Sequence, residues 1–388
     1  MLALVSSKMQ RASHARNNQR FGSFLRAEFV VFIGLVTVAI FWGTGSQLVE
    51  IIAHPIALVL VFLWLFAVIL WSAMSVVRHA DCLAIKWGEP YGTLVLTLSA
   101  ITIEVVVIST AMLHGENNPA LGRDAIFSVV MIALNGFVGL CLLMGGLSYR
   151  EQHYNLQGVN AYLNVIMTLA VLGLVLPNFT TTTSGPTFST EQAIFLIVVC
   201  LLLYAIFLLI QTMRHKQYFI DADHASVPAN SAHYSVQLRS TGFHVTMLFL
   251  YMITVILLAK KFAIPLDNSI EKFGMPQEFG GAMIAALVLS PEGLGALRAS
   301  LDNQLQRSVN ILLGSVLATI GLTIPAVLAI SLITKRPVIL GVQGGNLPLL
   351  LLTLAVSVVT FTSRKTNVLQ GCVHLLLFAV FVLLIFAP

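Results

Sequence analysis

Two glutamates, Glu104 and Glu292, lie 188 residues apart, each in the middle of a long apolar stretch. An aromatic residue followed by glycine precedes each of them by 13 residues, at Tyr91 and at Phe279. A charged group at bilayer depth costs roughly 2.5 to 3.5 kcal/mol on insertion scales unless it faces a partner or a water-filled cavity. A carboxylate that is repeated in this way is typical of an ion or proton pathway.

Hydroxyl groups accompany both carboxylates. Thr97 precedes Glu104 by seven residues, which places the two side chains on one helical face. Thr102 stands two residues before Glu104, as Ser290 stands two residues before Glu292. Hard cations such as Ca²⁺ take six to eight oxygen ligands. The sequence therefore predicts a cation- and proton-binding site on the two glutamates, with Thr97, Thr102 and Ser290 as auxiliary ligands.

A proline next to the second glutamate adds a backbone oxygen to this set. Pro291 has no N–H, so it leaves the carbonyl of Leu287 without its helical partner and predicts a broken helix. Two further acidic residues, Glu89 and Glu278, flank the repeated aromatic-glycine pairs and could form a vestibule. The alternative for the glutamates is a protonated packing role, and for the hydroxyls a hydrogen bond to their own backbone.

The composition requires that these residues lie in a membrane. Of 388 residues, 57% are hydrophobic and 10% are charged, and the mean hydropathy is +0.91. A helix needs roughly 20 apolar residues to cross the hydrocarbon core, and continuous apolar runs favour helices over a β-barrel. The sequence thus predicts an all-α integral membrane protein with eleven spans, near 28–45, 50–75, 92–113, 124–147, 159–176, 191–213, 241–259, 279–300, 308–333, 337–359 and 367–387.

The basic residues predict the orientation of these spans. With a cytoplasmic amino terminus, 15 of the 21 Lys and Arg residues fall on the cytoplasmic face and six on the other. The net charge of +5 is therefore interpreted as a signal of topology. No basic run is interleaved with aromatic residues, so nucleic-acid binding is not predicted.

One long polar connector divides the chain into two sets of five helices. The predicted organisation is a basic cytoplasmic segment (1–27), a leading helix (28–47), a first repeat (48–213), a cytoplasmic connector (214–240) and a second repeat (241–388). Because five is odd, the second repeat must cross the membrane in the opposite sense to the first. Inverted repeats of this kind place the binding site at their interface near the bilayer midplane.

Three segments of the sequence are similar to a known family. Residues 75–109, with the motif GEPYG, residues 287–327, with SPEGLGAL, and the closing residues 366–388 resemble bacterial calcium/sodium-proton antiporters of the cation/calcium exchanger superfamily. The resemblance implies one leading helix, two inverted five-helix repeats and cation binding by Glu104 and Glu292. Where relatives show Asn in a GNxxE pattern, this chain has Ile101 and Leu289.

The resulting hypothesis is a secondary transporter of the bacterial inner membrane, not an enzyme. Burial and mutual repulsion favour the protonated forms of two carboxylates in one cavity, and a bound cation favours the ionised forms. Competition for Glu104 and Glu292 would then couple export of Ca²⁺ or Na⁺, or K⁺, to proton uptake by alternating access. The expected partners are inorganic cations, protons and the lipid bilayer, and no cofactor is predicted.

Two other classes of protein use similar residues. A passive cation channel would use the same carboxylates without coupling to protons. A membrane haem or quinone protein would need paired histidines within helices, and His54, His244 and His374 lie in or near apolar runs. These three share no repeat frame, which favours core or interface roles for them.

Overall fold

The computed structural model describes residues 28–44, 50, 52–88, 91–114, 118–220, 239–363 and 365–387. Eleven apolar helices and one pair of two-residue strands make up most of this part of the chain. The helices are α1 Phe29–Gly43, α2 Pro55–Trp87, α3 Tyr91–His114, α4 Leu121–Tyr149, α5 Leu156–Asn178, α6 Thr190–Arg214, α7 Thr241–Phe273, α8 Glu278–Leu301, α9 Leu305–Thr334, α10 Asn346–Thr360 and α11 Val368–Phe386. Strands β1 (Gln152–His153) and β2 (Lys365–Thr366) pair antiparallel.

The all-α prediction is confirmed. Eight of the described helices are long and apolar enough to cross a membrane, and α1, α10 and the Thr97–Met112 part of α3 are shorter apolar helices. Lipid offers no hydrogen bonds, so each crossing segment must satisfy its backbone groups internally, which a helix does. The eleven helices agree in number and order with the eleven predicted spans.

Two helices are longer than their apolar runs. The run at 50–75 predicted one span, but α2 continues to Trp87, and α7 continues from its predicted end at 259 to Phe273. The added parts contain charged residues and, in α7, Pro265. Hydropathy identifies only the apolar part of a helix. It does not distinguish a polar extension of a helix from a loop, so these extensions could not be predicted from it.

The predicted span at 337–359 is wrong in its first third. Helix α10 begins only at Asn346, and residues 336–345 before it are not helical. The N–H of Ile339 donates to the carbonyl of Pro119 (2.9 Å), and that of Val342 donates to Leu174 (2.8 Å). Leu340 is fully buried. This stretch is apolar because it is packed inside the protein, with its backbone bonded to neighbouring segments.

The first three helix pairs of the two predicted repeats match in length, whereas α5 has 23 residues and its counterpart α10 has 15. Helices α2 and α7 have 33 residues each, and α3 and α8 have 24 each. Helices α4 and α9 have 29 and 30 residues, and each contains a π-helical turn, at Ile132–Phe137 and at Thr319–Thr323. Both α6 and α11 begin with a capping box, in which a side chain and the N3 residue satisfy each other's backbone N–H groups.

The most enclosed helices of the bundle are α4 and α9. In the most apolar window of α4, 78% of residues are buried, and in that of α9 61% are, whereas α6 and α11 have 28% each. Helix α8 packs along α4, and α2 packs along α7. The two glutamate-bearing helices, α3 and α8, therefore lie beside the most enclosed helices of the bundle.

Candidate cation site

A cavity of about 370 Å³ contains both predicted glutamates on its wall. Glu104 comes from the middle of α3 and Glu292 from the middle of α8. The wall continues to Lys216, Ile220 and Arg307, which are exposed. These residues lie where α6 ends and α9 begins, the end of the bundle called the connector side below. The cavity therefore leads from the two carboxylates to the connector side.

Glu104 is held by two hydroxyl groups of α9. The Thr319 hydroxyl donates to its Oε2 (2.8 Å), and the Thr323 hydroxyl donates to its Oε1 (3.0 Å). The carboxylate residue is only 5% exposed, and both threonines are fully buried. The threonines are the first and last residues of the π-helical turn Thr319–Thr323. Turns of this type inside α-helices are frequent at functional sites.

The sequence analysis did not identify these two threonines. Their signal was available: two hydroxyls four residues apart, in the helix that follows the second glutamate helix. They were not connected to Glu104 because they lie more than 200 residues away in the chain. Only the packing of α9 against α3 brings them together.

Glu292 is half-buried and is positioned by a close approach of two helices. Its hydroxyl partner is Ser315 of α9, which also lines the cavity. The next residue, Gly293, faces the Phe137 ring of α4, and a Cβ at this position would overlap that ring. Glycine is therefore required where α8 meets the π-helical turn of α4.

The predicted auxiliary hydroxyls take different positions. Thr97 lies on the cavity wall, where its hydroxyl meets that of Tyr204. Thr102 donates to the carbonyl of Leu98 in its own helix (2.6 Å), and Ser290 donates to its own helix at Ala286. Neither Thr102 nor Ser290 is among the described wall residues. The structure thus brings Thr97 to the glutamates and directs the other two hydroxyls to backbone.

The helix break predicted at Pro291 is wrong. Helix α8 is continuous from Glu278 to Leu301, with Pro291 inside it and on the cavity wall. Proline removes one hydrogen bond of the helical ladder. The bonds on either side and the packing at Gly293 keep the helix intact. Leu287 is buried and is not one of the described wall residues.

Of the two predicted vestibule residues, Glu278 is not among the described wall residues of this cavity. Glu278 lies in the first turn of α8, at the end opposite the connector side, where it interacts electrostatically with Asp124. Glu89 lies outside the described residues. Three other charged residues line the exposed end of the cavity: Asp81 of α2, Lys216 and Arg307 of α9. Asp81 and Arg307 interact electrostatically.

The donor set of the wall is suited to a hard cation or to protons. It combines two carboxylates with hydroxyl oxygens from Thr97 and Ser315 and the amide of Asn310. In the described part of the chain, no group of three or more His, Cys, Asp or Glu side chains is close enough to hold a metal ion. The site therefore differs from a resident metal centre with several anionic ligands.

The histidines form hydrogen bonds that do not resemble a haem site. The Nδ1 atoms of His79 and His244 are 3.0 Å apart, which is the length of a hydrogen bond between the two rings. His374 contacts the hydroxyl of Thr360 (2.9 Å) and the amide oxygen of Asn135 (3.2 Å). These buried histidines serve as contacts between helices.

Comparisons with known proteins agree with this architecture. The family model described as sodium/calcium exchanger protein matches residues 57–213 and 244–387. The sodium-potassium/proton antiporter ChaA of Escherichia coli is 38% identical over 92% of this chain and 96% of its own length. The protein y4hA of Sinorhizobium fredii is 43% identical over 82% of this chain and 86% of its own length.

The fold has also been observed experimentally. The structure of native YfkE superposes with a TM-score of 0.71, covering 93% of this chain and 99% of that chain. The sequence identity is 17%, so this similarity establishes the fold alone.

Proposed function

The chain belongs to the sodium/calcium exchanger protein family, and from this premise we propose that it is a secondary cation/proton antiporter. The observation that carries the proposal is the shared cavity of Glu104 and Glu292, two carboxylates on corresponding helices of the two repeats. Proteins with inverted repeats bind substrate and coupling ion near the membrane midplane, where the repeats meet. Both glutamates lie at the middle of their helices, as this requires.

The two carboxylates would bind either one cation or protons. Without a cation, an apolar cavity and a neighbouring negative charge favour the protonated carboxyl groups. A cation that displaces the protons would be held by the ionised carboxylates together with hydroxyls such as those of Thr97 and Ser315. Because the site cannot hold the cation and the protons at the same time, movement of the cation in one direction is coupled to movement of protons in the other.

The basic residues support a direction for this exchange. We propose that the amino terminus and the connector side are cytoplasmic, since 15 of 21 Lys and Arg residues then lie on the cytoplasmic face. The cavity would thus be open to the cytoplasm, ready to load a cation. Rocking of the repeats would turn the site outward, where protons displace the cation.

The identity of the cation is part of the proposal. Carboxylate and hydroxyl oxygens suit Ca²⁺ and Na⁺ alike. A relative with 38% identity is named as a sodium-potassium/proton antiporter, which supports Na⁺ and K⁺ as substrates to be compared with Ca²⁺.

Proteoliposomes that enclose a proton-sensitive dye test the proposal directly. A pH gradient is imposed, and Ca²⁺, Na⁺, K⁺ or Mg²⁺ is added separately at several pH values. We expect proton movement with at least one cation, and we expect both Glu104→Gln and Glu292→Gln to abolish it. Glu151→Gln, an exposed acid-to-amide change outside the cavity, is the matched control.

The same preparation distinguishes an antiporter from a passive channel. A channel would pass radioactive cations down their gradient without moving protons. Normal pH-driven exchange in either purified glutamine variant of the cavity would contradict the assignment of the site. No response to any cation would contradict antiport.

A further inference from the structure

A second set of charges is repeated in the two halves of the chain. Asp81 and Asp267 occupy the same position in the two 33-residue helices, α2 and α7. Arg123 and Arg307 are each the third residue of the corresponding helices α4 and α9. The inverted repeat therefore places one Asp and one Arg toward the connector side and the other Asp and Arg toward the opposite side.

On the connector side, these charges line the open cavity. Asp81 and Arg307 both belong to its wall, both are exposed, and they interact electrostatically. A cation that moves from the connector side to the two glutamates passes this acidic and this basic group. The carboxylate attracts the cation, and the guanidinium repels it.

On the opposite side, the arginine is withdrawn into the protein. Arg123 binds its neighbour Asp124 through Nη2 (2.7 Å) and Nε (2.8 Å), and the two side chains are 14% and 7% exposed. A third nitrogen of Arg123 lies 3.4 Å from the carbonyl of Gly341, in the extended segment before α10. Gly281 of α8 packs against the backbone of Asp124, which joins α8 to α4 at the same level.

We infer that these arginines are the two gates of the pathway, with Arg307 released at the open inner mouth and Arg123 locked on Asp124 at the closed outer end. The inference rests on the proposed function, which requires the two ends to open in turn. In the outward-open state, Arg123 would leave Asp124 and stand beside the outer mouth, as Arg307 now stands beside the inner one. Asp267 would then serve the outer mouth as Asp81 serves the inner.

The two gates differ at the residue that follows each arginine. The position of Asp124 in α4 corresponds to Ser308 in α9, and the Ser308 hydroxyl donates to the carbonyl of Ala296 (2.6 Å). The inner arginine therefore has no carboxylate neighbour in its own helix, and the acidic group near it on the cavity wall is Asp81 of α2. The outer gate is closed by an ion pair within α4, between Arg123 and Asp124, and α9 has no such pair at the inner gate. This difference favours the inward-open state in the absence of substrate.

A cysteine reporter measures opening of the outer gate. Ala285 is 1% exposed and lies one helical turn from Gly281, toward the cavity. Ala285→Cys is introduced after replacement of the four native cysteines, and a membrane-impermeant thiol reagent is added from the outer side. We expect Asp124→Asn to raise the labelling rate at least tenfold, because the amide cannot hold the guanidinium as an ion pair.

Two further variants complete the test. Arg123→Lys keeps the positive charge but loses the two-nitrogen contact with Asp124, so we expect a smaller increase in the labelling rate. This variant replaces Asp124→Asn in the test if Asp124→Asn does not elute as a single folded species. Glu191→Gln, an exposed acid-to-amide change at the start of α6, should leave the rate unchanged. The gate inference would be overturned if Asp124→Asn and Arg123→Lys were labelled at the same rate as the parent protein. It would also be overturned if Glu191→Gln raised the labelling rate as much as they do.

The labelling experiment does not depend on transport. If Glu104→Gln and Glu292→Gln abolish exchange but the reporter rate is constant, antiport stands and the gate fails. If the reporter rate rises while no cation moves protons, the gate stands and antiport fails.

Discussion

The contact between α4 and α8 at Gly281 makes a quantitative prediction about helix packing. A Cβ built at this glycine would lie 2.6 Å from the backbone carbonyl carbon of Asp124 and 2.7 Å from the backbone nitrogen of Ala125. Non-bonded carbons pack best at about 3.5–4.0 Å. Because the clashing atoms are backbone, no side-chain rotation relieves them, and Gly281→Ala must separate the two helices by about 1 Å.

The same helix offers a control for the backbone effect of replacing glycine. Gly295 of α8 faces the cavity, and a Cβ there would meet nothing within 4 Å. Both substitutions gain helix propensity, roughly 1 kcal/mol per Gly→Ala. Only Gly281→Ala also overpacks a helix contact, which typically costs about 1–3 kcal/mol. The difference between the two variants therefore isolates the packing penalty.

Thermal unfolding of the purified protein in detergent measures this difference. One kcal/mol corresponds to about 2–4 °C in a domain of 150–250 residues, and to less in a longer chain. We expect the apparent Tm of Gly281→Ala to lie about 2 °C or more below that of Gly295→Ala. Gly280→Ala should fall between them, because its Cβ would meet only the ends of flexible side chains, Ile270 at 3.1 Å and Leu121 at 3.6 Å. Equal Tm values for the variants at 281 and 295 would refute the close helix contact.

Two further sets of variants test the polar contacts. Thr319→Val and Thr323→Val each remove a hydroxyl group that donates a hydrogen bond to the carboxylate of Glu104. Hydrogen bonds to charged groups contribute about 1.5–3 kcal/mol. We therefore expect the half-saturating cation concentration in the dye assay to rise about tenfold or more. Thr254→Val, at a buried threonine that bonds its own helix, should not change it. Glu28→Gln should lower the Tm, because this buried carboxylate binds a guanidinium, an imidazole and a phenol. Glu151→Gln breaks only an exposed ion pair and should have little effect on the Tm. Equal Tm losses in the last two variants would contradict the buried network.

The fold could be predicted from the sequence, and so could the two glutamates that share the cavity, because both depend on local patterns. Apolar runs of bilayer length predict helices, and a carboxylate within such a run is conspicuous wherever it occurs. The hydroxyls that contact Glu104 were not predictable in the same way. Which side chains of α9 face α3 depends on the rotation of the helix, and the π-helical turn Thr319–Thr323 changes that rotation within one turn.

The apolar segment at 337–345 illustrates a different limit of hydropathy. Its side chains Val338, Leu340 and Val342 are buried inside the protein, and its backbone N–H groups donate to Pro119, Leu174 and Pro186 in neighbouring segments. An apolar composition predicts that a segment is buried away from water. It does not record whether lipid or protein surrounds the segment, and only lipid requires a helix.

The charge of the partners, more than burial, distinguishes the carboxylate proposed to bind the cation, Glu104, from the buried carboxylate Glu28. Glu28 is 3% exposed and Glu104 is 5% exposed, so burial does not distinguish them. Glu28, however, binds the guanidinium of Arg78 at 2.5 Å, so its negative charge is compensated within the protein. The hydrogen-bond partners described for Glu104 are two neutral hydroxyls, which orient the carboxylate without neutralising it. A buried carboxylate that lacks a cationic partner must take up a proton or a cation from the cavity, and this requirement is the physical basis of exchange between the two.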